Sequence, residues 1–152
     1  MSVGVTWLVE GHLLLLNSWG KVNVDELAAM DVRIHDMLTN ATVPLVHGIH
    51  DHCKAQQIPS AKDLMKVKSG NHPRVGWLII IGLDNKLMKF FVSVAGQVLN
   101  IRLRFMNSLD EALAFLQEID STLPDLKSLD LAAAETRIHE YAVTLERLPE
   151  AS

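Results

Sequence analysis

The stretch GWLIIIGL, Gly76 to Leu83, sets five bulky apolar residues, Trp77 to Ile81, between two glycines. A run this short suits a buried strand, whereas a membrane helix needs about 20 apolar residues. No polar residue is left to face water on either side, so the strand belongs inside a sheet covered on both faces, the usual condition of a parallel α/β sheet. That expectation requires helices to alternate with strands on both sides of it.

Downstream they do. Asp84 is placed to cap NKLMKFFVSVAGQVL (Asn85 to Leu99), where Leu87, Phe91, Val94 and Val98 share a helical face and Gly96 weakens the end. IRLRFM alternates, with Ile101, Leu103 and Phe105 inward and Arg102 and Arg104 outward, which suits an edge strand. SLDEALAFLQEI opens with a capping box, Ser108 and Glu111, and turns Leu109, Leu113, Leu116 and Ile119 inward before Pro124 closes it. A last helix, roughly Leu129 to Leu148, carries Leu131, Ala134, Ile138, Tyr141, Leu145 and Leu148 at helical steps.

Upstream, VTWLV (Val5 to Val9) and HLLLLNSW (His12 to Trp19) flank Gly11 as a hairpin. NVDELAAMDVRIHDML starts with Asn23 as N-cap and Glu26 completing a capping box, and Leu27, Met30, Ile34, Met37 and Leu38 form its apolar stripe. Pro44 ends that helix, PLVHGIHD (Pro44 to Asp51) reads as a short strand, and IPSAKDLMKV (Ile58 to Val67) as a short helix capped by Ser60. The predicted order is ββαβαβαβα plus an extra C-terminal helix: an α/β fold with a mostly parallel, mixed five-stranded sheet.

The 152 residues suit a single core. A start lacking both a basic segment and a small-residue cleavage site, together with a single cysteine, is read as a cytoplasmic setting. The net charge of −4 argues against a general nucleic-acid binder. Charge is nevertheless segregated: Lys54, Lys62, Lys66, Lys68 and Arg74 face one acid, Asp63, whereas ten acids face three bases from Ser108 onward.

HGIHDHC, His47 to Cys53, packs three histidines, an aspartate and the cysteine together. In a strand His50 and His52 point one way and His47, Ile49 and Asp51 the other. A His-x-His pair supplies two of the three or four ligands a zinc or copper site needs, and Cys53 or a distant residue such as His72 would have to complete it. With no second ligand pair, no bound metal is expected. The two histidines are placed instead at the carboxyl end of their strand, half solvated, where open parallel sheets bind ligands. Cys53 lacks a placed base and oxyanion site, and no phosphate-cradling glycine loop occurs, so no catalytic residue and no cofactor is assigned.

The element order, with GKVNVDEL (Gly20 to Leu27) after the second strand and FMNSLDEALAFL (Phe105 to Leu116) near the end, resembles the STAS-like fold of anti-anti-sigma factors, in its bacterial stand-alone branch. The resemblance spans about Val5 to Ile119. In signalling members a serine of an Asp-Ser-Ser-Gly motif opens the helix after the third strand, and a partner kinase phosphorylates it. QQIPSAKDLM (Gln56 to Met65) occupies that place and puts Ser60 near the phosphoacceptor position, beside Pro59, Ala61 and Lys62; the aspartate, second serine and glycine are absent. The phospho-switch is thus degenerate, and helix capping accounts for Ser60.

The resemblance implies a non-enzymatic regulatory or protein-interaction module. Its contact surface is expected at His50, His52, Lys54, Ser60, Lys62 and Lys66, facing a protein partner of acidic character. An alternative is a carrier of a small apolar or amphipathic, lipid-like ligand, suggested by the Met- and Phe-rich NKLMKFF. A further alternative is a metal-dependent enzyme using the His47 to Cys53 cluster. Residues 1–126 are read as the domain and 127–152 as a helical extension packing on it or at a homodimer interface, the dimer being expected.

Overall fold

The computed structural model describes residues 3–57 and 59–146. The chain runs β1 (Val3–Val9), β2 (Leu13–Lys21), α1 (Val24–Asn40), β3 (Val46–Gln57), α2 (Ala61–Leu64), a 3-10 turn, β4 (Val75–Ile81), α3 (Lys86–Val98), β5 (Arg102–Met106), α4 (Leu109–Ile119), a second 3-10 turn and α5 (Leu131–Glu146). One five-stranded sheet has the order β1-β2-β3-β4-β5. β1 and β2 are antiparallel, and every later pair is parallel. The predicted order, hairpin and edge position of β5 all match. Among the described residues no helix is long and apolar enough to cross a membrane.

Consecutive parallel strands step in one direction across the sheet, so crossovers of one hand put α1, α2 and α3 on the same face. The helices after β5 return over the other. Two cores result. Val3, Val5, Leu14 and Leu16 bury against Met30 and Leu38 of α1. Leu13, Leu15, Ile49, Ile79 and Ile81 bury against Leu113, Leu116, Ala134 and Ile138 of α4 and α5. Alternation along the leucine run of β2 feeds both cores at once.

Local chemistry sets several boundaries. Gly11 takes φ 75° and lets His12 N–H reach the Val9 carbonyl at 2.9 Å, closing the hairpin. The Asn23 side chain accepts from Glu26 N at 2.8 Å, and the Glu26 carboxylate accepts from Asn23 N at 3.2 Å, completing the predicted box. At α4, Ser108 Oγ accepts from Glu111 N, while the Glu111 carboxylate reaches Asn107 N, one residue earlier than a capping box. At α3 the cap is Asn85 and not Asp84: its Oδ1 accepts from both Leu87 N and Met88 N. Ile119, expected inward, is 42% exposed.

The structure departs from the sequence reading at two larger features. β3 does not end near Asp51 but continues to Gln57, because β2 keeps pairing with it as far as Lys21↔Gln57, whereas β4 pairs only to Asp51. The apolar stripe of α3 faces outward: Leu87, Phe91, Val94 and Val98 are exposed, as is Phe90, and Ala95 and Gly96 are buried. A helix lying close to a sheet needs small side chains inside; a Cβ on Gly96 would sit 3.3 Å from Leu103 of β5. α5 packs on its own chain, one of the two placements expected for it. Ala134 and Ile138 are fully buried, Ile138 lies against the bare backbone of Gly4, and the Arg137 guanidinium donates to Trp7 O at 3.1 Å. The side chains of Tyr141 and Leu145, and Leu148 altogether, lie outside the described residues.

Candidate functional site

A cavity of about 190 Å³ lies between the sheet and α1, α2 and α3. Its floor follows from register: Leu16, His50 and Ile80 sit side by side, as do Leu14, Gly48 and Leu78. Gly48 leaves a dip in that floor. Leu64 and Val92 belong to the opposite wall. The lining is almost wholly apolar; Ser18, His50 and His52 of β2 and β3 supply polar groups, and Asp31, His47 and Ser69 also border it.

His50 Nε2 and Ser18 Oγ are 2.8 Å apart, and the His50 and His52 rings stack at 3.9 Å between centroids. Burial, reinforced by the neighbouring His52, holds the His50 imidazole well below its usual pKa. Burial likewise lowers His52 to about 4, opposed in part by the Asp51 carboxylate. Both rings are therefore neutral at neutral pH, each with one donor and one acceptor nitrogen. Among the described residues His52 Nδ1 is buried without a hydrogen-bond partner. Such an atom carries a desolvation cost that a ligand's polar group can relieve.

The rings of His47 and His72 are bonded elsewhere. His47 lies on the α4 side, 3% exposed; its Nδ1 accepts from Trp77 N at 3.0 Å and its Nε2 meets Asp120 Oδ2 at 2.9 Å. His72 packs edge-on against His35 of α1, with Arg74 N donating to its Nδ1. Among the described residues no group of three or more His, Cys, Asp or Glu side chains is arranged to hold a metal ion. The Cys53 thiol is pushed up to about 11, first by its contact with the Asp51 carboxylate and then by burial, which leaves little thiolate for nucleophilic chemistry.

The six residues expected to form one surface divide in two. His50 and His52, both half-buried, line the cavity from mid-strand, not from the carboxyl end, because β3 runs on beyond them. Lys54, Ser60, Lys62 and Lys66 are exposed. Ser60 caps α2: its Oγ accepts from Asp63 N at 3.3 Å and donates to Asp63 Oδ2 at 2.9 Å. Ser60→Ala is expected to leave the fold intact and cost about 1 kcal/mol, read by thermal unfolding; phosphorylation at Ser60 that alters binding would contradict a purely capping role.

Two residues of this region escaped the sequence reading. Ser18 shares a face with Leu14 and Leu16 by simple alternation, but its pairing with His50 appears only once the β2–β3 register is known. Asp31 of α1 accepts from Lys68 N and Ser69 N, both at 2.8 Å, and so ties the loop after α2 to the cavity wall.

No family model matches the chain, and no curated protein matches it. Among solved structures it is similar to an uncharacterized protein of the DUF3478 family from Shewanella loihica PV-4, described as having a SpoIIAA-like fold. The match covers 76% of this chain and 92% of that one, at 18% identity and a TM-score of 0.56. With strand order, crossover sides and this superposition in agreement, the chain has a SpoIIAA-like fold, the STAS-like arrangement its sequence resembles.

Proposed function

We propose that the chain is a non-enzymatic regulatory module that binds a small apolar or amphipathic molecule between its sheet and α1 to α3. On this reading the exposed end of β3 and α2, with Lys54, Ser60, Lys62 and Lys66, meets a partner of acidic character. The observation that carries the proposal is the cavity: about 190 Å³ of apolar space with Ser18, His50 and His52 as its polar end. An engineered apolar cavity of about 150 Å³ takes up benzene, so the size suits one ring or a short alkyl chain. A hydroxyl or protonated carboxyl group on that ligand would pair with the neutral imidazoles. The raised Cys53 pKa supports the absence of a thiol nucleophile.

The test fills the space. Ala95 of α3 is 6% exposed and lines the cavity, so Ala95→Leu adds methyl groups where the ligand would lie. Calorimetric titration with indole and with short-chain alcohols and acids is expected to show binding by the native chain, reduced about tenfold or more in the variant. Unfolding stability should hold or rise by about 0.5–2 kcal/mol, as cavity filling commonly does. Equal affinity in both proteins, or no binding of any probe, would defeat the reading.

A further inference from the structure

We infer that the outer face of α3, with the lysines around it, docks on an anionic lipid surface. This names the acidic partner of the reading above and rests on it only in the link to the cavity ligand. Leu87 is 61% exposed, Phe90 60%, Val94 40% and Val98 61%. They recur at helical steps and form one apolar strip on a 13-residue helix. Phe91 adds to it, and Met65, just after α2, is 43% exposed. Scattered exposed apolar residues are ordinary, but a continuous strip including aromatic rings marks a contact surface.

Charge selects the occupant. From Ser60 to Val98 the chain has six lysines and arginines against two carboxylates, although the rest carries eight against sixteen. Lys86 and Lys89 lie on α3 itself, and Lys62 and Lys66 on the neighbouring α2 segment. Large apolar residues on one helix face with lysines beside them are the signature of a helix lying in a bilayer interface. Two copies joined face to face would bring these lysines against each other, and that two-fold arrangement is the usual one for homo-oligomers. The strip also offers few hydrogen-bonding groups to a protein, whereas acyl chains need none. The inner side of the same helix contributes Val92, Ala95 and Leu99 to the cavity. An apolar ligand dissolved in the bilayer would thus lie one helix away from its proposed site.

The experiment is co-sedimentation of the full chain with phosphatidylcholine vesicles, with and without about one-third phosphatidylglycerol. Binding is expected on the anionic vesicles and to fall with salt. Replacing Lys62 or Lys86 with Gln should weaken it about fivefold each, the effect of one basic residue near an anionic surface. Phe90→Glu with Val94→Glu should abolish it. These positions are exposed, so circular dichroism should show an unchanged fold; Leu87→Ser with Val98→Ser gives an independent variant. Failure of the native chain to sediment with anionic vesicles would overturn the inference, whether or not an acidic protein binds. So would undiminished binding by both variants. If light scattering finds a dimer that Phe90→Glu dissociates and vesicles do not, the occupant is a second copy. Titration of the cavity with soluble probes is read separately, so either proposal can fail alone.

Discussion

A chain ended before Ser128 is expected to be largely unfolded in water, not to survive as a trimmed α/β domain. The truncation removes α5, whose Ala134 and Ile138 are fully buried in the core cluster with Leu8, Leu13 and Leu15 of the hairpin. Burying one isoleucine is worth roughly 1.5–3 kcal/mol, and the truncation also bares the strand and leucines beneath it. Several such losses approach the whole stability of a domain, about 5–15 kcal/mol. Ile138→Ala in the intact chain isolates the largest part and should cost about 2–5 kcal/mol in urea unfolding. The contact with Gly4 supplies a second check. A methyl there would overlap Ile138 Cγ2, so Gly4→Ala should destabilise the native chain and cost distinctly less once Ile138 is alanine. Additive losses, or a truncated chain with native stability, would mean that α5 is not part of the core.

The sequence left two partners open for α5, the domain and a second copy of the chain, and the choice between them locates what a sequence conceals. The periodicity of α5 was legible, and so was its need for an apolar partner. Which partner was not, because Gly4 reads as a weak point in β1 until a helix is seen to cross it. α3 shows the same limit differently. Its residues are apolar nearly all round, so periodicity could not say that Ala95 and Gly96, not Phe91 and Val94, face the sheet; the close approach of Leu103 decides it. Local signals did better. Asn23 and Glu26 capped α1 as spaced, and GWLIIIGL became β4, inside the sheet with Ile79 to Ile81 buried. The separation of His50 and His52 from His47 also followed from strand alternation. Their burial did not, since it depends on the ladder that carries β3 on to Gln57.

Loss of the His47 side chain should be among the costliest single changes in the molecule, about 3 kcal/mol for His47→Ala. The β3–β4 register slips by one residue between Val46 and Gly48, and in this region Trp77 N–H donates to His47 Nδ1. That bond assigns the proton to Nε2, which donates to Asp120 at the end of α4. One ring thus joins the middle of the sheet to the helix over it. Alanine leaves a buried amide unpaired, worth about 1–3 kcal/mol, and removes packing beneath α4. His47→Asn places an acceptor near the Nδ1 position but cannot reach Asp120, so it should recover about half of the loss. Acid unfolding separates this link from the cavity histidines. Thr122's hydroxyl first, and then His47, hold the Asp120 carboxyl below its usual range. Its stabilisation is therefore present above the ordinary carboxylate pKa of about 3.9 and lost as pH falls through the lower folded value. His50 and His52 favour the neutral form, so their loss begins earlier, as pH drops below about 6.5, and for His52 is complete near 4. Asp120→Asn should flatten only the lowest part of a stability–pH curve, below about 3.9, whereas His50→Gln with His52→Gln should remove the fall that begins near pH 6.5. Equal stability of the His47 alanine and asparagine variants would show that the Trp77 bond contributes nothing and that His47 acts through packing alone.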